Sequence, residues 1–141
     1  METQKIGIIG LGYVGLPLAR LFATQYPVVG FDIDQERIAE LMSGSDSTLE
    51  LDSDTLRKVL LPATSSANGL YCSSDVQDLS DCNRYIITVP TPVDKNHRPV
   101  LTPLIKASET VGSVLKKGDV VVYESTVYPG ATEVCSGEDY N

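Results

Sequence analysis

A glycine-rich turn directly after an apolar stretch constrains the fold of this chain more than any other feature. The stretch Ile6–Ile9 has the composition of a buried strand, and glycines follow it at positions 10, 12 and 15. A second apolar stretch ends at Asp32, roughly 20 residues after the first glycine. This order predicts a strand, a tight turn, a helix and a second parallel strand, which is the opening unit of a doubly wound α/β sheet.

Each glycine meets a different physical requirement of a dinucleotide site. Gly10 permits the tight turn, Gly12 lets backbone approach a pyrophosphate because it has no Cβ, and Gly15 lets the helix pack closely on the strand. The helix N-terminus offers free N–H groups to the phosphates, and Asp32 can accept hydrogen bonds from the adenosine ribose hydroxyls. The combination predicts a Rossmann-type site; the alternative is a glycine turn that packs helix on sheet and holds no ligand.

The rest of the chain alternates apolar stretches with helical periodicity, which is typical of a parallel sheet with crossover helices. We predict strands at residues 5–10, 27–32, 69–72, 84–89 and 119–123, and helices at 13–25, 35–43, 54–61 and 102–116, with a helical turn near 75–79. Residues 1–141 are therefore expected to form one Rossmann-type domain. A further helix is predicted to start near Pro129, and the chain stops soon after it, so the domain is expected to be truncated.

Side-chain periodicity and capping residues orient the predicted helices. In the first helix, spacings of three and four residues predict one apolar face made of Val14, Leu18, Leu21 and Phe22. Asp34 is the predicted N-cap of the second helix. Thr102 is the predicted N-cap of the last complete helix, with Pro103 at its first position.

Composition and charge exclude several classes of partner. The 141 residues carry a net charge of −8, and no basic stripe is present to neutralise nucleic-acid phosphates. No apolar stretch approaches the ~20 residues needed to cross a membrane, and no signal peptide precedes the first strand, so a cytoplasmic protein is expected. Because His97 is the single histidine and the three cysteines are dispersed, no metal site is expected, and the thiols are interpreted as reduced.

Three loops at the carboxyl ends of predicted strands are expected to converge on the cofactor. Besides the glycine turn, these are the loop that contains Thr91 and the loop that contains Thr126. Both threonines can hydrogen-bond near the ribose and nicotinamide, or can merely satisfy local backbone groups. Arg37 can reach the adenosine, or can belong to a solvated helix face. Because the carboxylate of Asp32 repels a 2′-phosphate, the expected cofactor is NAD rather than NADP.

With these residues placed, the chain resembles the NAD-binding domain of the UDP-glucose/GDP-mannose dehydrogenase family, and within it the UDP-N-acetylglucosamine and UDP-N-acetylgalactosamine 6-dehydrogenases. Five segments carry the resemblance: 8–19, 30–34, 46–50, 89–94 and 124–133. The joint presence of GLGYVGLPLA and ESTVYPGATE makes it specific. Carried over by position, the resemblance implies NAD contacts at Tyr13, Val14, Asp32, Arg37, Thr91 and Thr126. It also implies that Thr126 lies near the reacting sugar carbon.

The resemblance further implies a two-step oxidation of a sugar C6 alcohol to the acid through a cysteine thiohemiacetal. In that family the nucleophilic cysteine, the active-site lysine and asparagine, and the sugar-nucleotide domain come later in the sequence. We therefore expect this chain to bind NAD, to bind a UDP-sugar only together with such a second half, and to be inactive alone. Self-association into a homo-oligomer is left open. The alternatives are a stand-alone dinucleotide-binding or regulatory module, and a relative of the β-hydroxyacid dehydrogenases, which share only the first turn.

Overall fold

The computed structural model describes residues 4–90, 92, 94–98 and 100–124, and a parallel sheet forms its centre. The strands of this sheet are β1 (Ile6–Ile9), β2 (Pro27–Phe31), β3 (Gly69–Ser73), β4 (Arg84–Ile87) and β5 (Val120–Tyr123). The helices are α1 (Gly15–Ala23), α2 (Gln35–Met42), α3 (Ser53–Val59) and α4 (Thr102–Gly112), and a short 3-10 helix spans Val76–Leu79. The predicted alternation of strands and helices is confirmed.

The order of the strands across the sheet is β3-β2-β1-β4-β5. The chain builds outward from β1 to β3 and then returns to add β4 on the other side of β1. In the parallel pairing, Ile9 is aligned with Phe31 of β2 and with Ile87 of β4. The order therefore reverses at the carboxyl end of β1, which is where ligands bind in open α/β sheets.

Helices cover both faces of the sheet because successive strand residues point to opposite sides. Ile8 of β1 is fully buried in a core that contains Leu16 of α1 and Leu41 of α2. Its neighbour Ile9 is buried in a second core, which contains Leu104 of α4. The Rossmann-type, doubly wound fold class is thus confirmed.

The prediction for the buried face of α1 is wrong in part. Val14 and Leu21 are 57% and 59% exposed, whereas Leu18 and Phe22 are partly buried as predicted. The fully buried face instead consists of small and apolar residues at positions 15, 16, 19 and 23. Gly15 packs against the carbonyl of Gly10, directly after β1, and the residues that follow it at helical spacing are the buried ones, whereas Val14 precedes the helix.

Two helix ends also differ from the predictions. Asp34 caps α2 as expected, but α4 begins at Thr102 itself, so Leu101 occupies the N-cap position without a side-chain hydrogen bond. Helix α4 ends at Gly112, earlier than the predicted Lys116. The Nζ of Lys116 instead donates to the carbonyl oxygens of Ser80 (2.8 Å) and Cys82 (2.9 Å), which ties the segment after α4 to the residues between the 3-10 helix and β4.

Several sequence predictions fall outside the described residues. These are the predicted contacts of Thr91 and Thr126, the helix start near Pro129, and Cys135. Within the described part of the chain, no helix combines the length and apolar character that a membrane-spanning segment requires.

Candidate functional site

The three glycines of the turn between β1 and α1 meet three different surroundings. Gly10 has a φ of +102°, a conformation that favours glycine. A Cβ on Gly15 would lie 1.7 Å from the carbonyl oxygen of Gly10, so the helix could not approach the strand with any side chain there. A Cβ on Gly12 would meet no described atom within 4 Å. The fold itself therefore demands glycine at positions 10 and 15, while the space beside Gly12 is open for a ligand.

Backbone donors with no described acceptor lie next to that open space. Among the described residues, none accepts a hydrogen bond from the N–H groups of Gly12, Tyr13 or Val14. The side chains of Tyr13 and Val14 are exposed and do not cover these groups. Unpaired N–H groups at a helix N-terminus are the donors that bind phosphate. The turn thus fits a pyrophosphate, and the alternative of a purely packing turn leaves the open space at Gly12 unexplained.

Asp32 lies at the end of β2, where the sequence predicts it, and already contacts the glycine turn. Its Oδ2 accepts a hydrogen bond from the N–H of Leu11 at 3.0 Å. Its Oδ1 accepts from the N–H of Asp34 at 3.0 Å. A carboxylate has about four lone-pair sites, so both oxygens keep capacity for ribose hydroxyls. Asp32 can therefore orient the turn and bind a ribose at the same time.

Arg37 is buried, so its interpretation as part of a solvated helix face is wrong. Its Nε donates to the carbonyl oxygen of Leu11 at 2.8 Å, and its Nη1 donates to Asp46 at 2.9 Å and to Glu40 at 3.1 Å. The guanidinium therefore joins the glycine turn to the loop after α2. Its contact with the adenosine of a bound cofactor stays a prediction.

Asp46 is a buried residue of this site that the sequence reading missed. Its side chain is fully buried and accepts hydrogen bonds from the N–H groups of Thr48, Glu50 and Leu51, each at 3.0 Å. Burial works against ionisation, but the Thr48 hydroxyl, the Leu51 N–H and the Arg37 guanidinium outweigh it and lower the pKa of Asp46 from 3.8 to about 2. The carboxylate is therefore charged at neutral pH. The one local signal is an Asp-Ser-Thr sequence, which is typical of an Asx turn.

Thr88 is a second residue that the sequence reading missed. It follows β4 in an otherwise apolar stretch, and its buried hydroxyl lies 2.7 Å from the carbonyl oxygen of Gly10 and 3.1 Å from that of Ile9. The only sign of this role in the sequence is a threonine within an otherwise apolar stretch. The glycine turn is thus held from β4 as well as from β2.

The two described cysteines are not poised for chemistry. Cys72 and Cys82 are buried free thiols, and burial raises the pKa of each to about 12. His97 is at the tip of an exposed loop, where it has a φ of +60°. None of these three residues contacts the glycine turn in the hydrogen bonds of the described chain.

Comparisons with known proteins agree with this geometry. Residues 4–138 match the family described as "UDP-glucose/GDP-mannose dehydrogenase family, NAD binding domain". The chain belongs to this family. The match is to its NAD-binding domain, so NAD is the cofactor of the chain. The expected resemblance is confirmed.

Individual relatives are similar over nearly the whole chain. The UDP-N-acetyl-D-glucosamine 6-dehydrogenase of Pseudomonas aeruginosa is 56% identical over 133 residues, which are 94% of this chain and 30% of that protein. The enzyme of the same name from Salmonella typhi is also 56% identical over 133 residues. The structure of a UDP-D-ManNAc dehydrogenase from Pyrococcus horikoshii aligns with a TM-score of 0.82 at 36% identity, covering 95% of this chain and 33% of that one. The chain thus spans about a third of the length of these relatives.

Proposed function

We propose that this chain is the cofactor-binding part of an NAD-dependent dehydrogenase that oxidises C6 of a UDP-N-acetylhexosamine. The observation that carries the proposal is the open space beside Gly12, lined by free backbone N–H groups and placed next to Asp32. The identity of 56% with two UDP-N-acetyl-D-glucosamine 6-dehydrogenases supports the substrate class.

Different groups of the chain would bind different parts of the cofactor. The N–H groups of Gly12, Tyr13 and Val14 would bind the diphosphate, with the dipole of α1 adding partial positive charge. Asp32 would accept the hydroxyls of the adenosine ribose. Thr91 and Thr126 are proposed to lie near the nicotinamide half, with Thr126 next to the reacting carbon. When bound there, NAD supplies the acceptor for the hydride that leaves the sugar alcohol.

The second oxidation step is proposed to need residues outside the described ones. It requires a thiolate at the sugar aldehyde, and the raised pKa values of Cys72 and Cys82 keep both thiols protonated at neutral pH. Holding the sugar carbon against the nicotinamide can lower the barrier to hydride transfer by ~7–11 kcal/mol, and this positioning needs a surface that binds the sugar. In the family that this chain resembles, the sugar-nucleotide domain comes later in the sequence, so we expect the 141 residues alone to bind NAD without producing NADH.

A chimera tests the proposed substrate class. Residues 1–138 of this chain would replace the matching part of the Pseudomonas aeruginosa relative, and NADH formation would be followed with UDP-N-acetylglucosamine and UDP-N-acetylgalactosamine. We expect NADH with at least one of them, and a clear loss of turnover in the Thr126→Ala variant of the chimera. A folded chimera that binds NAD but reduces none with either sugar would contradict the assignment and favour a binding module without chemistry.

A further inference from the structure

Two consecutive peptide planes of the glycine turn are fixed by side chains from distant elements. In the plane between Gly10 and Leu11, the carbonyl lies 2.7 Å from the Thr88 hydroxyl and the N–H donates to Asp32 at 3.0 Å. In the plane between Leu11 and Gly12, the carbonyl accepts from Arg37 at 2.8 Å. The N–H of Gly12 has no described acceptor and belongs to the open space.

The hydrogen bond from Arg37 therefore decides where the N–H of Gly12 points. A peptide unit is planar and trans, so its carbonyl and its N–H point in opposite directions. When Arg37 holds the carbonyl of Leu11, the N–H of Gly12 is directed away from the guanidinium. Glycine resists rotation of such a peptide less than other residues do, because it populates both signs of φ. The orientation of this donor thus depends on a side-chain contact.

Arg37 depends in turn on Asp46. Arg37 is 9% exposed, and a buried charge of this kind is stable only when it is paired. The carboxylate of Asp46 is held in place by donors from its own loop, in which Leu49 has a φ of +59° and an exposed side chain. The second partner, Glu40, is more accessible to solvent, with 26% of its side chain exposed.

We propose that Asp46 is a positioning residue for the cofactor diphosphate. It fixes the guanidinium of Arg37 against the carbonyl of Leu11, and so keeps the N–H of Gly12 aimed at the phosphate. This inference rests on the proposed placement of the diphosphate at the glycine turn. The loop after α2, which contacts no cofactor group in the proposed site, thereby sets the affinity for the diphosphate part of the ligand.

The test compares Asp46→Asn with Glu40→Gln, which both remove one carboxylate from the same guanidinium nitrogen. Binding of NAD and ADP is measured by calorimetry, and binding of adenosine, which lacks phosphate, by NMR titration; urea unfolding establishes that each variant is folded. We expect Asp46→Asn to weaken NAD and ADP by about tenfold, the equivalent of one charge-assisted hydrogen bond, and to leave adenosine within about twofold. Glu40→Gln should change every affinity by less than about twofold.

The milder variant Thr48→Val covers the case in which Asp46→Asn does not fold. It keeps both charges and removes only a hydroxyl that lies 2.6 Å from Asp46 and 3.5 Å from Arg37. We expect it to weaken NAD about threefold and adenosine not at all. Unchanged NAD affinity in Asp46→Asn or Thr48→Val, whichever is folded, or equal losses for NAD and adenosine in that variant, would overturn the role of Asp46. Failure of the unmodified chain to bind NAD would instead overturn the proposed site.

Discussion

Two loops that leave neighbouring strands at the same edge of the sheet are held in opposite ways. The glycine turn (residues 10–15) after β1 is fixed by a side chain that follows β2, one from α2 and one that follows β4. In the loop after β4, residues 94–98 are held by contacts among themselves, since exposed Asp94 accepts hydrogen bonds from the N–H groups of Asn96 (2.8 Å) and Arg98 (3.0 Å). Residues 94–98 of that loop are exposed, whereas the glycine turn is joined to the buried side chains of Arg37 and Thr88. The geometry that a diphosphate would meet is therefore set by the fold, whereas residues 94–98 of the second loop are held by hydrogen bonds among themselves.

The largest expected effect lies within the glycine turn. Gly15→Ala would force a Cβ to within 1.7 Å of a backbone oxygen, so α1 must move away from the sheet. We expect a loss of more than about 3 kcal/mol in the free energy of unfolding, measured by urea denaturation. Gly12→Ala is the matched control, because its Cβ meets no described atom and should cost less than about 1 kcal/mol. Equal losses would contradict the separate roles given to the two glycines.

The next largest effect is expected for Asp46, whose substitution we compare with that of Asp94 in the loop after β4. Asp46→Asn leaves the buried guanidinium of Arg37 without its closest carboxylate, so we expect a loss of about 3 kcal/mol in the free energy of unfolding. Asp94→Asn acts on an exposed loop and should cost less than about 1 kcal/mol. Urea titrations of both variants measure the difference. A larger loss for Asp94→Asn would show that the exposed loop, rather than the glycine turn, is coupled to the core.

The smallest effect is a dependence of stability on pH. Folding lowers the pKa of Asp46 from its ordinary value of 3.8, which applies in the unfolded chain, to about 2. The folded state therefore binds this proton less readily than the unfolded state does. The resulting stabilisation of about 2 kcal/mol is complete above pH 3.8 and is lost as the pH falls towards 2. The difference in unfolding free energy between the unmodified chain and Asp46→Asn should shrink over this interval. A constant difference would contradict the ionised, buried state of Asp46.

The sequence predicted those parts of the site that depend on local pattern. The glycine spacing, Asp32 at the end of β2 and the cap at Asp34 follow from residues close together in the chain. The partnership of Arg37 with Leu11 and Asp46 does not, because it joins three segments that only the fold brings together. A helical arginine beside a polar loop has the same appearance whether it is solvated or buried.

The error in the face of α1 has a similar cause. Periodicity identifies apolar residues at helical spacing, but the face that meets the sheet is decided by where the backbones come closest. Here Gly15 packs on the backbone of Gly10, and the buried face contains Leu16 and Ala19 rather than Val14 and Leu21. Small residues such as Ala19 have low hydrophobicity, so a search for large apolar side chains at helical spacing does not identify them as part of the buried face.

The most direct test of the account is a calorimetric titration of the unmodified chain and of Gly12→Ala with NAD and NADP. The central claim is that the open space at Gly12 and the carboxylate of Asp32 bind NAD. The unmodified chain should prefer NAD over NADP by about tenfold to a hundredfold, because a phosphate placed beside Asp32 is repelled by a few kcal/mol at an effective dielectric of about 20. Gly12→Ala should weaken NAD by at least about tenfold while it stays folded, because the methyl group occupies the space for the diphosphate. Equal affinities for the two cofactors, or undiminished binding of NAD by Gly12→Ala, would contradict the claim.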